Sequence, residues 1–135
     1  MDQRSAIRRA YARSIMLTIR AGAHAVNLDY GNEAESCEKI SWLSTEVSKA
    51  LRAIMSERGI AAPASLHEIE ACAQAYDLMC GSEPEVIKSD MENLHSLTCD
   101  SIEEVLEAIV DDPDLLALMG EFPTMDLLEV HSWAA

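Results

Sequence analysis

Apolar residues recur at spacings of three and four along nearly the whole chain, and the two-residue alternation of strands is almost absent. Asp2 can cap a first helix running to about Asn27. At 100° per residue, Ile7, Tyr11, Ile15, Thr18, Ile19, Gly22 and Val26 fall within a sector of roughly 120°, which predicts the buried face. Arg9, Arg13 and Arg20 form a stripe roughly opposite that sector. Turn chemistry at Leu28-Asp29-Tyr30-Gly31-Asn32 then breaks the pattern. A second helix is predicted from Glu33 to Arg58, with Gly59 as its left-handed stop. Its apolar seam is Cys37, Ile40, Leu43, Val47, Ala50, Leu51 and Ile54. Two long helices joined by a short turn are expected to pack as an antiparallel hairpin.

Beyond Ile60-Ala61-Ala62-Pro63-Ala64 the elements shorten. Ser65-x-x-Glu68 is a capping box for a helix through Cys80, with Leu66, Ile69, Cys72, Ala73, Tyr76 and Cys80 facing inward and Gly81 ending it. Ser82-x-x-Glu85, with Pro84 in the first turn, opens another helix to about Leu97. Asp100 or Ser101 caps the next, which carries Ile102, Val105, Leu106 and Ile109. Asp112-Pro113 begins a short helix ending at Gly120, and Thr124 caps a last one containing Leu127, Leu128 and Val130. The expected fold is therefore all-α: a compact bundle with a long N-terminal helical hairpin followed by four to five shorter helices. Residues 1–135 read as one domain, with a hinge near 60–64 between the hairpin and an acidic helical part.

Charge changes this picture. The 135 residues hold 24 Asp and Glu against 10 Lys and Arg, a formal charge of −14. The distribution is polar along the chain: residues 1–20 sum to +4, residues 21–59 to −2 and residues 60–135 to −16, with Lys88 the single base in that last segment. First-turn acids such as Glu68, Glu85, Glu103, Glu104, Asp114 and Asp126 suit helix N-termini. Dipoles do not explain why bases are missing, because helices ordinarily mix signs to gain i,i+4 pairs. The acidic segment thus points to a basic protein or protein subunit as partner, and argues against direct nucleic-acid binding or an anionic membrane surface. The arginines of the first helix are expected to pair with the acids, within the fold or between copies of the chain.

Candidate chemistry is sparse. Cys37, Cys72, Cys80 and Cys99 form no CxxC pair and read as free thiols of a reducing, cytoplasmic compartment. No apolar stretch approaches the roughly 20 residues of a membrane span. The five arginines scattered through residues 3–28 do not fit a secretory signal; they imitate a transit peptide, yet the segment also reads as a structural helix. Glu92-x-x-His95 matches the di-iron helix unit, but no second copy occurs. His95, Cys99, Cys72 and Cys80 are unpaired along the sequence, unlike the close ligand pairs of zinc sites. Asp111-Asp112-Pro113-Asp114 lacks the spacing of an EF-hand. Any cysteine and His24, His67 or His131 can meet only through the fold, and no nucleophile elbow, P-loop or dinucleotide fingerprint is present. No catalytic residue, metal site or cofactor is assigned.

These observations lead to a non-enzymatic acidic interaction protein as the expected function, an inhibitor that binds a basic surface of a nucleic-acid-handling complex. It would block nucleic-acid access or displace a subunit. Glu103, Glu104, Glu107, Asp111, Asp112 and Asp114 form the densest acidic cluster, and Trp133 is the aromatic anchor expected beside it. Trp42, next to the seam of the second helix, is expected to close an edge of the core. An acidic adaptor or secretion-type chaperone is the alternative, and a small helical metalloenzyme the third reading. In size, acidity and lack of motifs the chain resembles small phage-encoded inhibitors, anti-CRISPR proteins among them. That resemblance is one of profile, rests on no particular residues, and implies a bacterial or phage-infected cell.

Overall fold

The computed structural model describes residues 2–28, 31–75 and 83–130. Among them are six α-helices and no strand: α1 (Gln3–Leu28), α2 (Asn32–Arg58), α3 (Leu66–Ala73), α4 (Pro84–Ala108), α5 (Pro113–Gly120) and α6 (Thr124–Leu128). The fold is all-α, a long helical hairpin followed by four further helices. One core cluster runs through it, from Ala6 on α1 to Leu127 on α6.

The α2 seam is buried as its pattern predicts, with Ile40, Leu43, Val47, Leu51 and Ile54 at most 2% exposed. Each such side chain contributes about 1.5–3 kcal/mol. Gly59 ends the helix at φ 66°. Its N–H donates to the Ser56 carbonyl and that of Ile60 to Met55, so two orphan carbonyls are capped. A side chain at that φ would be strained, which is why glycine sits there.

The buried arc of α1 departs from expectation. Ala6, Ile7, Ala10, Leu17, Ala21 and Ala25 are buried, whereas Ile19 and Val26 are 51% and 74% exposed. The predicted stripe is in fact one edge of the contact with α2. Alanines let the hairpin helices approach closely, and a row of hydroxyls fills the seam: Thr18 Oγ1 lies 2.8 Å from Ser44 Oγ, and Ser41 Oγ donates to the Thr18 carbonyl at 3.1 Å. Because α1 packs against α2, α3 and α4 together, it buries much more than one amphipathic face.

Two boundaries also differ. The helix opened by Ser65 ends at Ala73, since Gln74 adopts the left-handed conformation at φ 51°; Leu66 is 59% exposed rather than inward. Tyr76, Cys80, Gly81 and Ser82 lie outside the described residues. The break expected at Asp100 and Ser101 does not occur, and α4 runs unbroken for 25 residues. Ser101, instead of capping, donates to the Leu97 carbonyl one turn back and accepts from Arg13. The α5 start behaves as predicted, with Asp112 accepting from the Leu115 N–H. Thr124 is the first residue of α6 rather than its cap, and its buried hydroxyl donates to the Met119 carbonyl.

Candidate functional site

The bases of α1 and α2 are largely engaged inside the fold. Arg13, 8% exposed, donates through Nε to the Ala73 carbonyl at 2.8 Å and through Nη1 to Leu97 O and Ser101 Oγ at 3.2 and 2.6 Å. It therefore closes the C-terminus of α3 and fastens it to α4, and makes no ion pair with a carboxylate among the described residues. Burial, reinforced by the nearby charge of Arg9, lowers its pKa, while Glu104 and Asp100 oppose the shift. Arg9 pairs with Glu104 at 3.9 Å, Arg8 donates to the Ala61 carbonyl, and Arg58 pairs with Asp112.

A second buried contact joins α1 to α4. Asp90, with no exposed side-chain surface, accepts from Arg20 Nε at 3.1 Å and from His24 Nε2 at 2.6 Å. Arg20 and His24 stand four residues apart on α1 and so share the face that meets α4. His24 Nδ1 is buried with no hydrogen-bond partner among the described residues. No hydroxyl or thiol among the described residues hydrogen-bonds to this histidine, so the pair lacks the nucleophile a catalytic dyad requires. Geometry assigns it to clamping two helices.

His95 and Cys99 also meet, with Sγ 3.4 Å from Nε2. The same Nε2 lies 3.0 Å from the Leu127 carbonyl. A proton on Nε2 donated to that carbonyl leaves no lone pair there to take one from the thiol. Burial, aided by Glu103 and Asp100, pushes the Cys99 thiol up to about 11, so the reactive thiolate is scarce near neutrality. The pair ties α4 to α6. Cys72 sits on α3 away from them, Cys80 is outside the described residues, and no group of three or more potential metal ligands converges among the described residues. Glu92, the other half of the di-iron-like unit, is exposed.

The acidic cluster separates into two sets. Glu104 and Asp112 pair with Arg9 and Arg58, although Glu104 keeps 46% of its side chain exposed. Glu103, Glu107, Asp111 and Asp114 are exposed and make no ion pair among the described residues. Glu103 and Glu107 stand one turn apart on α4, about 6 Å along its axis, and Asp111 follows in the turn beyond the helix. An apolar cleft of about 390 Å³ is lined by Leu106, Leu116, Met119, Phe122, Pro123 and Met125, with Asp126 as the acid at its wall. Met125 and nearby Val110 are 59% and 61% exposed. Trp133 lies outside the described residues. Sequence reasoning missed this cleft, because its walls come from α4, α5, the α5–α6 turn and α6, and each contributes only one or two apolar positions.

No described helix is long and apolar enough to cross a membrane. Compared with protein-family models, with curated proteins and with solved structures, the chain matches none.

Proposed function

We propose that the chain is a non-enzymatic acidic interaction protein, an inhibitor that occupies a basic surface of a nucleic-acid-handling protein complex. The carrying observation is the division of charge: Arg8, Arg9, Arg13, Arg20 and Arg58 of the hairpin bond to acceptors within the fold, while Glu103, Glu107, Asp111 and Asp114 are exposed and make no ion pair among the described residues. Glu103 and Glu107 set two carboxylates one helical turn apart, a separation comparable with that of neighbouring phosphates on a nucleic-acid strand. The cleft supplies apolar contact that a phosphate backbone lacks. Together they suit a basic protein surface that ordinarily takes nucleic acid, where the carboxylates stand in for phosphates. Complementary potentials of this kind raise association rates and discourage wrong partners.

Affinity capture from the source cells identifies the partner, and a salt titration with the purified complex then tests the reading. Reversing Glu103, Glu107, Asp111 and Asp114 to Lys together is expected to abolish binding and remove most of its salt dependence. Binding that survives this reversal overturns the inhibitor reading. Should it instead be lost on Met125→Glu, the adaptor alternative takes its place.

A further inference from the structure

Ile19, Val26 and Trp42 are large apolar side chains left 51%, 74% and 58% exposed. Ile19 and Trp42 each stand two positions from a fully buried neighbour, Leu17 and Ile40, and hence roughly 160° round their helices from it. They therefore lie on the side of the hairpin turned away from α3–α6. The seam contacts set the register: Tyr11 lies level with Arg52, Thr18 with Thr45, and Gly22 with Ser41. In that register the outer face runs from a basic end (Arg4, Lys49 and Arg52), through Ile19 and Trp42, to an acidic end with Val26, Glu38 and Glu35.

We propose that this face is a homodimer interface, taken by a second copy of the chain in a two-fold, antiparallel arrangement. Trp42 stands seven residues from both Glu35 and Lys49. A two-fold axis beside Trp42 thus sets Glu35 of one copy opposite Lys49 of the other, twice, with Ile19 and Trp42 packed at the centre. Lys49 has a weak hold on its own helix, pairing with Glu46 at 3.3 Å while 59% of its side chain stays exposed. The choice of a second copy follows from this charge order. A chain of net −14 repels its own kind over most of its surface, yet this face is complementary to itself on rotation. Two helices side by side, about 40 Å long and 20 Å wide, offer roughly the 800 Å² per partner of a standard interface. Packed centrally, Ile19 and Trp42 would supply its anchors.

Sedimentation equilibrium of the full chain tests the proposal, with circular dichroism to verify that every variant keeps its helicity. The wild type is expected to form a reversible dimer of twice the 14.8 kDa chain mass. Trp42→Glu and Ile19→Glu should each give a monomer, whereas Met125→Glu, on the other side of the molecule, should leave the dimer intact. Lys49→Glu and Glu35→Lys should each weaken the dimer about tenfold or more, and the two together should restore it. A wild type that stays monomeric at millimolar concentration overturns the proposal, as does a dimer that survives Trp42→Glu. Open-ended assembly abolished by Glu103→Lys with Glu107→Lys overturns it too, by showing a head-to-tail contact between the hairpin and the acidic edge.

Discussion

The α1–α2 hairpin and the α4–α6 end use charged residues in opposite ways. In the hairpin, Arg13, Arg20 and His24 turn inward and serve as structural connectors, bonded to carbonyls or to the buried Asp90. At the α4–α6 end, Glu103, Glu107 and Asp114 turn outward and hold nothing in place. Charge in the first region should therefore govern stability, and charge in the second should govern encounter. Net charge alone conceals this division, since the same ionic group is indispensable where buried and dispensable where solvated.

The sharpest way to break the contrast is at the clamp. Asp90→Ala leaves the His24 contact and the Arg20 face of α4 uncompensated, and should lower unfolding free energy by about 3–5 kcal/mol in urea or guanidinium titrations. Next in size, Arg13→Met strips the Ala73 carbonyl of its side-chain donor and leaves the Leu97 carbonyl with Ser101 alone. A loss of about 2–3 kcal/mol is expected, with α3 amides losing hydrogen-exchange protection first. A third effect comes from alkali. Cys37, buried and near Glu33, is held up to about 11, as is Cys99, against an ordinary thiol value of 9.0. The unfolded chain loses these protons first, so their contribution is complete below pH 9 and disappears as pH rises toward 11. Melting temperature should fall across that window, by an amount equivalent to on the order of 2 kcal/mol for Cys37, and Cys37→Ser should flatten the decline. The smallest effect on stability belongs to the acidic edge: Glu103→Lys with Glu107→Lys should change unfolding free energy by no more than about 0.5 kcal/mol, or raise it slightly by relieving like-charge repulsion. A large destabilisation there would erase the distinction between the two regions.

How much of this was legible in the sequence depends on how many neighbours each helix has. The α2 seam reads correctly because its buried side chains lie along one continuous apolar face. Its neighbour α1 touches three helices, so its buried arc includes Arg13, Ser14 and His24, and Ala10 and Ala21 matter more than the more hydrophobic Ile19 and Val26. A hydrophobicity pattern cannot rank an alanine at a close helix contact above an isoleucine beside it. At Ser101 a residue with good capping chemistry bonds back to Leu97 within a continuous helix, a use of the same hydroxyl that spacing does not distinguish. Ala73 ends α3 without a glycine signal. For the candidate site, charge sums locate the acidic end, but only the fold separates Glu104 and Asp112, which have arginine partners, from Glu103 and Glu107, which do not. Asp90 carried one faint clue: it occupies a helix position between the buried Ile87 and Met91, where a carboxylate needs partners. Arg20 and His24, four residues apart on another helix, were those partners.

The uninterrupted course of α4 has a consequence for recognition. From Asp90, held in the interior, to Glu107, open to solvent, the chain is one rod of helix with no joint. The rod fixes where its carboxylates are rooted while their exposed side chains stay free to turn, so a partner must bring cationic groups spaced to the pitch of the helix. Backbone ordering costs little on contact as a result, and selectivity rests on geometric match as well as on the amount of negative charge.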